Sequence, residues 1–401
     1  MDYIIENRST RIRSSCDVLV AGGGIAGVSA ALAARRAGAD VLLLEREYVL
    51  GGLATAGLVT IYLPLDDGAG HQMSFGIAEE LLRLSLVNSR ENAAVRNPVA
   101  WLNNGTYEEK RDGYRFEVQY NPALFAFECE KLLLAEGVRI LYGTSVCDVH
   151  KSGDLIDAVI IENKSGRSAV RVHSVVDCTG DADLCLYAGA PIETFRQGNV
   201  LAAWYYFLGK GQKENQLKML GYADIPDAEK KAGGEASKPL VVQRFTGLDA
   251  EELSGMVQLA HSQILRDVLN HRLEDPGYTV TTFPTIPQIR MTRRIAGEYT
   301  LDIAQDHEEF SDSIGGIGNW RKRGPAYHIP FGCLYSRAVP NLITAGRSIS
   351  VTEPMWDISR VIPPCAVTGE AAGAAAAMTD RFDTLDVSVL RSYLYEKGVR
   401  F

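Results

Sequence analysis

The sequence predicts an α/β fold: a Rossmann-like domain with a parallel sheet and an antiparallel meander, plus an inserted α+β domain. Three observations predict it. A buried strand, a glycine-rich turn, an alanine-rich helix and a second strand follow one another within residues 16–46. Three stretches at 144–173 alternate between polar and apolar residues, which is typical of antiparallel strands. Another strand and a helix poor in large side chains lie at 341–377.

The first unit has the order expected of a dinucleotide-binding βαβ motif. The apolar strand Asp17–Ala21 leads into Gly22, Gly24 and Gly27, which have the spacing G-x-G-x-x-G. A helix then runs from Ile25 to about Ala37, and the strand Val41–Leu44 ends at Glu45. A glycine-rich turn without any ligand is the alternative interpretation.

Each part of this unit has a physical task. Gly22 permits the tight turn, Gly24 lets the backbone approach a pyrophosphate, and Gly27 lets the helix pack closely on the strand. The helix N-terminus offers free N–H groups and partial positive charge to phosphates. Glu45 can accept two ribose hydroxyls and would repel a 2′-phosphate, so FAD and NAD both remain open at this point.

Later segments distinguish these two cofactors. Gly51 and Gly52 follow the acidic residue closely, a feature that NAD dehydrogenases do not usually have. Three further segments also bear on the choice of cofactor. They are a strand with the TGD sequence at Val175–Asp183, a strand at Asn341–Arg347, and the helix sequence Arg360–Gly373. With the segment Arg290–Tyr299, they resemble the FAD-dependent oxidoreductase family, which has a glutathione-reductase-like FAD fold and is related to fumarate reductase and succinate dehydrogenase flavoproteins.

The resemblance implies a non-covalently bound FAD and a set of residues that contact it. Besides the glycines and Glu45 above, these are Ile25, Ala26, Arg46, Leu53, Ala54, Thr55, Val146, Thr179, Gly180, Asp181, Gly346, Arg347, Pro364, Cys365 and Ala366. We expect the first turn of the last helix, near Pro364–Ala366, to face the flavin. Some relatives attach the flavin to a histidine; His71 is the candidate here, but its local pattern does not match theirs.

The domain organisation follows from the order of these segments. Residues 1–190 and 326–401 are expected to form a discontinuous FAD-binding domain, and residues 191–325 a substrate or cap domain. The chain has no second G-x-G-x-x-G and no C-x-x-C, although it contains seven cysteines. Neither a pyridine-nucleotide disulfide reductase, a disulfide framework nor a metal site is therefore expected.

Candidate catalytic residues come from two segments. If residues 290–299 are helical, Arg290, Arg293 and Arg294 share one face and could clamp a carboxylate, since guanidinium binds carboxylates in a bidentate way. A surface salt-bridge network is the alternative. His328 could transfer protons near neutral pH, although a structural histidine is equally plausible. We take Arg290, Arg294 and His328 as the catalytic candidates.

Composition limits the functional class. The net charge of −9 disfavours nucleic-acid partners. The sequence contains no run of about 18 apolar residues, so we expect no membrane-spanning helix. No signal peptide is evident, so a cytoplasmic location is expected. The predicted function is hydride transfer between flavin N5 and a small anionic organic substrate, with an unidentified second redox partner. The alternatives are an FAD-dependent biosynthetic or RNA-modifying enzyme and a non-catalytic FAD-bound sensor.

Overall fold

The computed structural model describes residue 4 and residues 6–87, 117–221 and 239–401. Its strands are β1 (Ile12–Ala21), β2 (Val41–Leu44), β3 (Ile61–Tyr62), β4 (Val118–Gln119), β5 (Arg139–Leu141), β6 (Ser145–Ser152), β7 (Leu155–Asn163), β8 (Gly166–Asp177), β9 (Ile192–Thr194), β10 (Ala203–Leu208), β11 (Gln216–Leu220), β12 (Thr279–Thr282), β13 (Arg293–Ile295), β14 (Ser313–Gly318), β15 (Ala326–Pro330) and β16 (Leu342–Thr344). Its helices are α1 (Ile25–Arg36), α2 (Ile77–Ser85), α3 (Pro122–Ala135), α4 (Asp183–Ala188), α5 (Ala250–Arg272), α6 (Glu353–Ser359), α7 (Ile362–Met378) and α8 (Val387–Glu396).

The main sheet confirms the predicted α/β class. Its parallel part has the spatial order β5-β2-β1-β8-β16, and β7 and β6 extend it antiparallel from the first half of β8. Pairing of β16 with β8 joins two segments that lie far apart in the sequence. The carboxyl ends of β1, β2, β8 and β16 therefore meet at one edge of the sheet, where ligands of such folds bind.

Strand β8 corrects one detail of the sequence interpretation. The last of the three alternating stretches, which ends at residue 173, and the strand before the TGD sequence at Val175–Asp183 were expected to be separate. The structure shows one strand of 12 residues, which pairs with β7 through its first half and with β16 through its last residues. Its partner changes along its length, so no turn is needed between the two parts.

Helix α7 packs across α1 on one face of the sheet, and small residues permit this contact. A Cβ placed on Gly369 would lie 2.3 Å from the carbonyl oxygen of Ala26, and one on Gly373 would lie 2.0 Å from that of Ala30. Fifteen of the 17 residues of α7 are buried. The alanine- and glycine-rich sequence of α7 is thus explained by the close approach of another backbone.

The residues between β8 and β16 include a smaller antiparallel sheet with the order β11-β10-β12. Helix α5 packs on this sheet through Ile264 and Val268, which share an apolar cluster with Tyr205 and Tyr278. The helix begins after Asp249, whose side chain accepts a hydrogen bond from the Glu252 N–H at 2.8 Å. The domain boundaries at residues 190 and 325 stay a prediction.

The expected helix at residues 290–299 is wrong. Residues 293–295 form β13, which pairs with β9 in antiparallel register and places Arg294 opposite Glu193. Successive side chains of a strand point to opposite faces, so Arg293 and Arg294 diverge instead of sharing one face. Pairing with a distant strand overrides the local helical preference of these arginines.

Within the described ranges, no single helix is long and apolar enough to cross a membrane. The pair α6 and α7 meets the criterion of length and composition when taken together, with a bend of 89° between the two helices.

The α1–α7 contact generates a stability prediction. Gly373→Ala should lower the free energy of unfolding by about 1–3 kcal/mol, because the new methyl group has no room beside Ala30. Gly255→Ala is the matched control: it also replaces a glycine within a helix, but its Cβ would meet nothing within 4 Å. The control should be neutral or stabilise the protein by up to about 1 kcal/mol. Urea denaturation of both variants measures the difference, and equal effects would contradict the close contact.

Candidate functional site

A cavity of about 340 Å³ lies at the carboxyl ends of the parallel strands. Its wall comes from the turn before α1, the segment after β2, the turn after β8, the segment after β16 and the start of α7. Residues between β8 and β16 complete it. This cavity contains the site that the sequence predicts, at the edge of the sheet where the strand ends converge.

The glycine-rich turn adopts the expected geometry. Gly22 has a φ of +100°, and a Cβ there would lie 2.4 Å from the carbonyl oxygen of Cys178. A Cβ on Gly27 would lie 1.8 Å from the carbonyl oxygen of Gly22, so only glycine fits between helix and strand. Gly24 caps the N-terminus of α1, and a Cβ there would meet nothing within 4 Å. A side chain at Gly24 would therefore project into the open space of the cavity.

The Glu45 carboxylate is fixed at the end of β2. Its Oε2 accepts a hydrogen bond from the Gly23 N–H at 2.7 Å, and its Oε1 accepts one from the Glu47 N–H at 2.8 Å. Burial raises the pKa of Glu45, while the two N–H donors oppose that rise. The turn and the acidic residue are thus connected directly, and the carboxylate reaches the cavity in a fixed orientation.

The Gly51–Gly52 segment closes over the turn. The Gly51 N–H donates to the carbonyl oxygen of Gly23 at 2.8 Å, and Gly24 and Gly51 form an isolated parallel bridge. A Cβ on Gly52 would lie 3.2 Å from the Cα of Gly24. The two glycine-rich segments therefore form one backbone cradle beside the N-terminus of α1.

The opposite wall is held by an ion pair and two main-chain contacts. Arg347 lies 3.2 Å from the Asp181 carboxylate, and its Nη1 donates to the carbonyl oxygens of Ile289 and Arg290 at 2.9 Å each. Thr292 also donates to Asp181, at 2.7 Å. Arg347 thereby connects the TGD turn after β8 to the segment before β13.

Asp183 adds a titratable group to this wall. It pairs with Arg293 at 2.7 Å, so that arginine is directed toward the turn after β8. Burial raises the pKa of Asp183 to about 6. The negative charges of Asp181 and Asp177 also raise this pKa, whereas the positive charge of Arg293 lowers it.

The start of α7 contributes Val361, Ile362 and Cys365 to the cavity, preceded by Arg360. Arg360 donates to the buried Asp357 carboxylate at 2.5 Å, and Arg321 donates to the same carboxylate from the other side. Only 6% of the Arg360 side chain is exposed. Asp357 therefore holds a cationic side chain in the cavity wall beside the N-terminus of α7.

Most of the sequence-predicted cofactor contacts line the cavity. They are Gly22, Gly24, Ile25, Ala26, Glu45, Arg46, Gly51, Gly52, Leu53, Ala54, Val146, Thr179, Gly180, Asp181, Gly346, Arg347 and Cys365. Gly27, Thr55, Pro364 and Ala366 are not part of the lining. Gly27 lies within α1 where the helix packs against the turn at Gly22. The Thr55 hydroxyl donates to the carbonyl oxygen of Leu50. Ala366 is fully buried within α7.

Of the three catalytic candidates, only Arg290 lines the cavity. Arg294 is buried elsewhere, where it pairs with Glu193 and lies 5.8 Å from the Trp356 ring centroid. His328 is half-buried in β15, opposite Gly316 of β14, and burial lowers its pKa. The structure therefore does not bring these three side chains together, because strand pairing separates Arg294 from Arg290 and His328 belongs to a different hairpin.

Several lining residues carried little sequence signal. Arg360 could have been found, since it begins the predicted helix sequence whose first turn we expected to face the flavin. Gly247, Leu253, Ile286, Pro287 and Ile289 also line the cavity. They come from a region without a motif, and only the tertiary structure brings them to the sheet edge.

Comparison with known proteins identifies the class. The model of a family described as FAD dependent oxidoreductase matches residues 17–232 and 208–394. The chain belongs to this family, and it is an enzyme with FAD as its cofactor.

A solved structure with a TM-score of 0.50 supports the same fold, and two further solved structures are similar at lower TM-scores. p-Nitrophenol 4-monooxygenase PnpA from Pseudomonas putida DLL-E4 is 14% identical with a TM-score of 0.50, covering 96% of this chain and 84% of that one. A geranylgeranyl bacteriochlorophyll reductase-like protein from Thermoplasma acidophilum is 15% identical with a TM-score of 0.45, covering 96% and 82%. The flavin-dependent brominase Bmp2, as a triple mutant, is 12% identical with a TM-score of 0.45, covering 95% and 84%.

The residues of the cavity fit an FAD molecule. The open space at Gly24 is the cradle that a Cβ would fill, and it faces the N–H groups at the start of α1. Glu45 lies where an adenosine ribose can donate hydroxyl groups, and the cavity extends from there to the start of α7. The phosphates would be held at Gly24 and Gly52, and the flavin end near Cys365.

The position of His71 generates a prediction about attachment. His71 does not line the cavity; its imidazole is 77% exposed and lies 2.9 Å from Asp67. We therefore expect acid precipitation to release all flavin into the supernatant as FAD, which chromatography distinguishes from FMN. Flavin retained in the protein pellet would contradict non-covalent binding.

Proposed function

We propose that this protein transfers a hydride between FAD and a small anionic organic substrate held between the sheet edge and the region of α5. One observation carries the proposal: a single cavity is lined both by the cofactor cradle and by Leu253, Ile289 and Arg290. The reacting atoms of a substrate would thus lie next to the flavin end, against residues that do not belong to the cradle.

When bound, FAD supplies the redox chemistry, since its flavin ring accepts or gives a hydride. The chain supplies orientation and electrostatics. The apolar residues Ile61, Leu63 and Ile362 line the same cavity and exclude water from it. Exclusion of water strengthens the electrostatic effect of each charged group that faces the reacting atoms.

Arg290 is the group proposed to orient the anionic part of the substrate. It is only 4% exposed, its Nη1 donates to the carbonyl oxygen of Gln288 at 2.6 Å, and its guanidinium lies 5.1 Å from the Trp204 ring centroid. These contacts fix the cation in the wall. A fixed and desolvated guanidinium attracts an anion more strongly than an exposed guanidinium does.

Arg360 is proposed to act on the cofactor instead. It lies at the N-terminus of α7, where the helix dipole also adds partial positive charge. Together these groups would stabilise the additional negative charge of the reduced cofactor. They would thereby raise its reduction potential.

Turnover tests the proposal. Anaerobically photoreduced protein is mixed with small unsaturated or oxo carboxylates and with oxygen, and the oxidised protein is mixed with small hydroxy- and amino-acids and with NADH or NADPH. We expect saturable flavin oxidation or reduction by at least one carboxylate, and slow or no reduction by the pyridine nucleotides. Arg290→Gln should raise the half-saturating concentration about tenfold, which corresponds to about 1.4 kcal/mol of lost binding.

The exposed Arg337, which pairs with Glu298 on the surface, provides the charge-matched control as Arg337→Gln. It should leave the half-saturating concentration unchanged. A protein that never turns over with any donor or acceptor would favour the sensor alternative.

The reduction potential tests the role of Arg360. Arg360→Met should lower the potential of the bound flavin by about 20–60 mV, or about 1–3 kcal/mol for a two-electron couple. Arg321→Met is the control, because Arg321 pairs with the same Asp357 but does not line the cavity. Spectroelectrochemical titration of both variants gives the shifts. Equal shifts would show that Arg360 has no special relation to the flavin.

A further inference from the structure

A second cavity, of about 290 Å³, adjoins the first and has a more apolar wall. Its lining comes from β10, α5 and the segment 283–288, and includes Ala203, Met256, Ala260, Ile264 and Phe283. Ile286 and Pro287 line both cavities. The two cavities therefore meet at these two residues, which form their shared wall.

The partition between the cavities is anchored to the cofactor cradle. The Thr285 N–H donates to the carbonyl oxygen of Ala56 at 3.0 Å, and the Gln288 side chain donates to that of Gly57 at 2.6 Å. The side-chain Oε1 of Gln288 also accepts a hydrogen bond from the main-chain N–H of Trp204 at 2.9 Å. Both ends of the Gln288 amide thus hold the partition in place.

The wall favours a planar or branched apolar group. Phe283 is 49% exposed and packs edge-on against His261, with 5.6 Å between the ring centroids. Met256 adds a polarizable side chain that packs well against aromatic rings. An apolar group that enters such a cavity leaves water, and this favours its binding.

We infer that the substrate of the proposed reaction carries an aryl or branched-alkyl group that lies in the second cavity while its anionic, reacting end lies in the first. This inference rests on the proposed function for the anionic end. The second cavity would then select for the apolar part of the substrate, independently of the redox step.

Binding of two simple carboxylates tests the inference on the FAD-loaded protein. Isothermal titration calorimetry with butyrate and with 4-phenylbutyrate should show a Kd for 4-phenylbutyrate that is lower by about tenfold or more, because its phenyl group leaves water. Ala260→Phe fills the second cavity and should abolish this preference. Phe283→Ala opens the wall at a partly exposed position and should weaken the preference.

Gln258→Phe is the matched control, since Gln258 is exposed on the same helix and does not line the cavity. It should keep the preference of the native protein. FAD content and thermal unfolding show whether each variant is folded. Equal affinities in the native protein, no binding of 4-phenylbutyrate, or a preference retained in Ala260→Phe would overturn the inference. A retained aryl preference without turnover by any substrate would instead contradict the proposed function alone.

Discussion

The close backbone contact between α1 and α7 is the constraint on which the site depends. Gly369 and Gly373 let α7 approach the carbonyl oxygens of Ala26 and Ala30 more closely than any side chain would permit. The two helices belong to opposite ends of the chain, yet both begin at the cavity. Two helix N-termini, each with partial positive charge from the helix dipole, thereby meet at one cavity.

The charged groups around the cavity are fixed by partners on other elements. Asp181 binds Arg347, and Arg347 in turn binds the carbonyl oxygens before β13. Asp357 holds Arg360 from α6, one turn before α7. Such paired and buried arginines keep a fixed position, so their fields act on a bound molecule without first having to reorganise. The side chains of this wall thus combine structural and electrostatic roles.

The region between β8 and β16 adds the residues that could contact a substrate beside the cofactor cradle. Its segment 283–290 hydrogen-bonds to Ala56 and Gly57 and brings Ile289 and Arg290 to the cavity. The same segment separates the two cavities. Because it has little regular secondary structure, its course is set by these long-range hydrogen bonds and by the packing of Ile289 with Leu201 and Phe245.

The sequence by itself determined the βαβ unit, the meander, the α7 helix and many of the residues that line the cavity. These features depend on local signals: glycines at fixed spacing, an acidic residue at a strand end, and apolar runs of defined length. The tertiary structure alone decided that Arg290, and not Arg294, lines the cavity. Pairing of β13 with β9 directs Arg294 toward Glu193, whereas Arg290 is held at the cavity by contacts with Gln288 and Trp204. Those partners lie up to about a hundred residues away, and a local pattern carries no information about contacts over such separations.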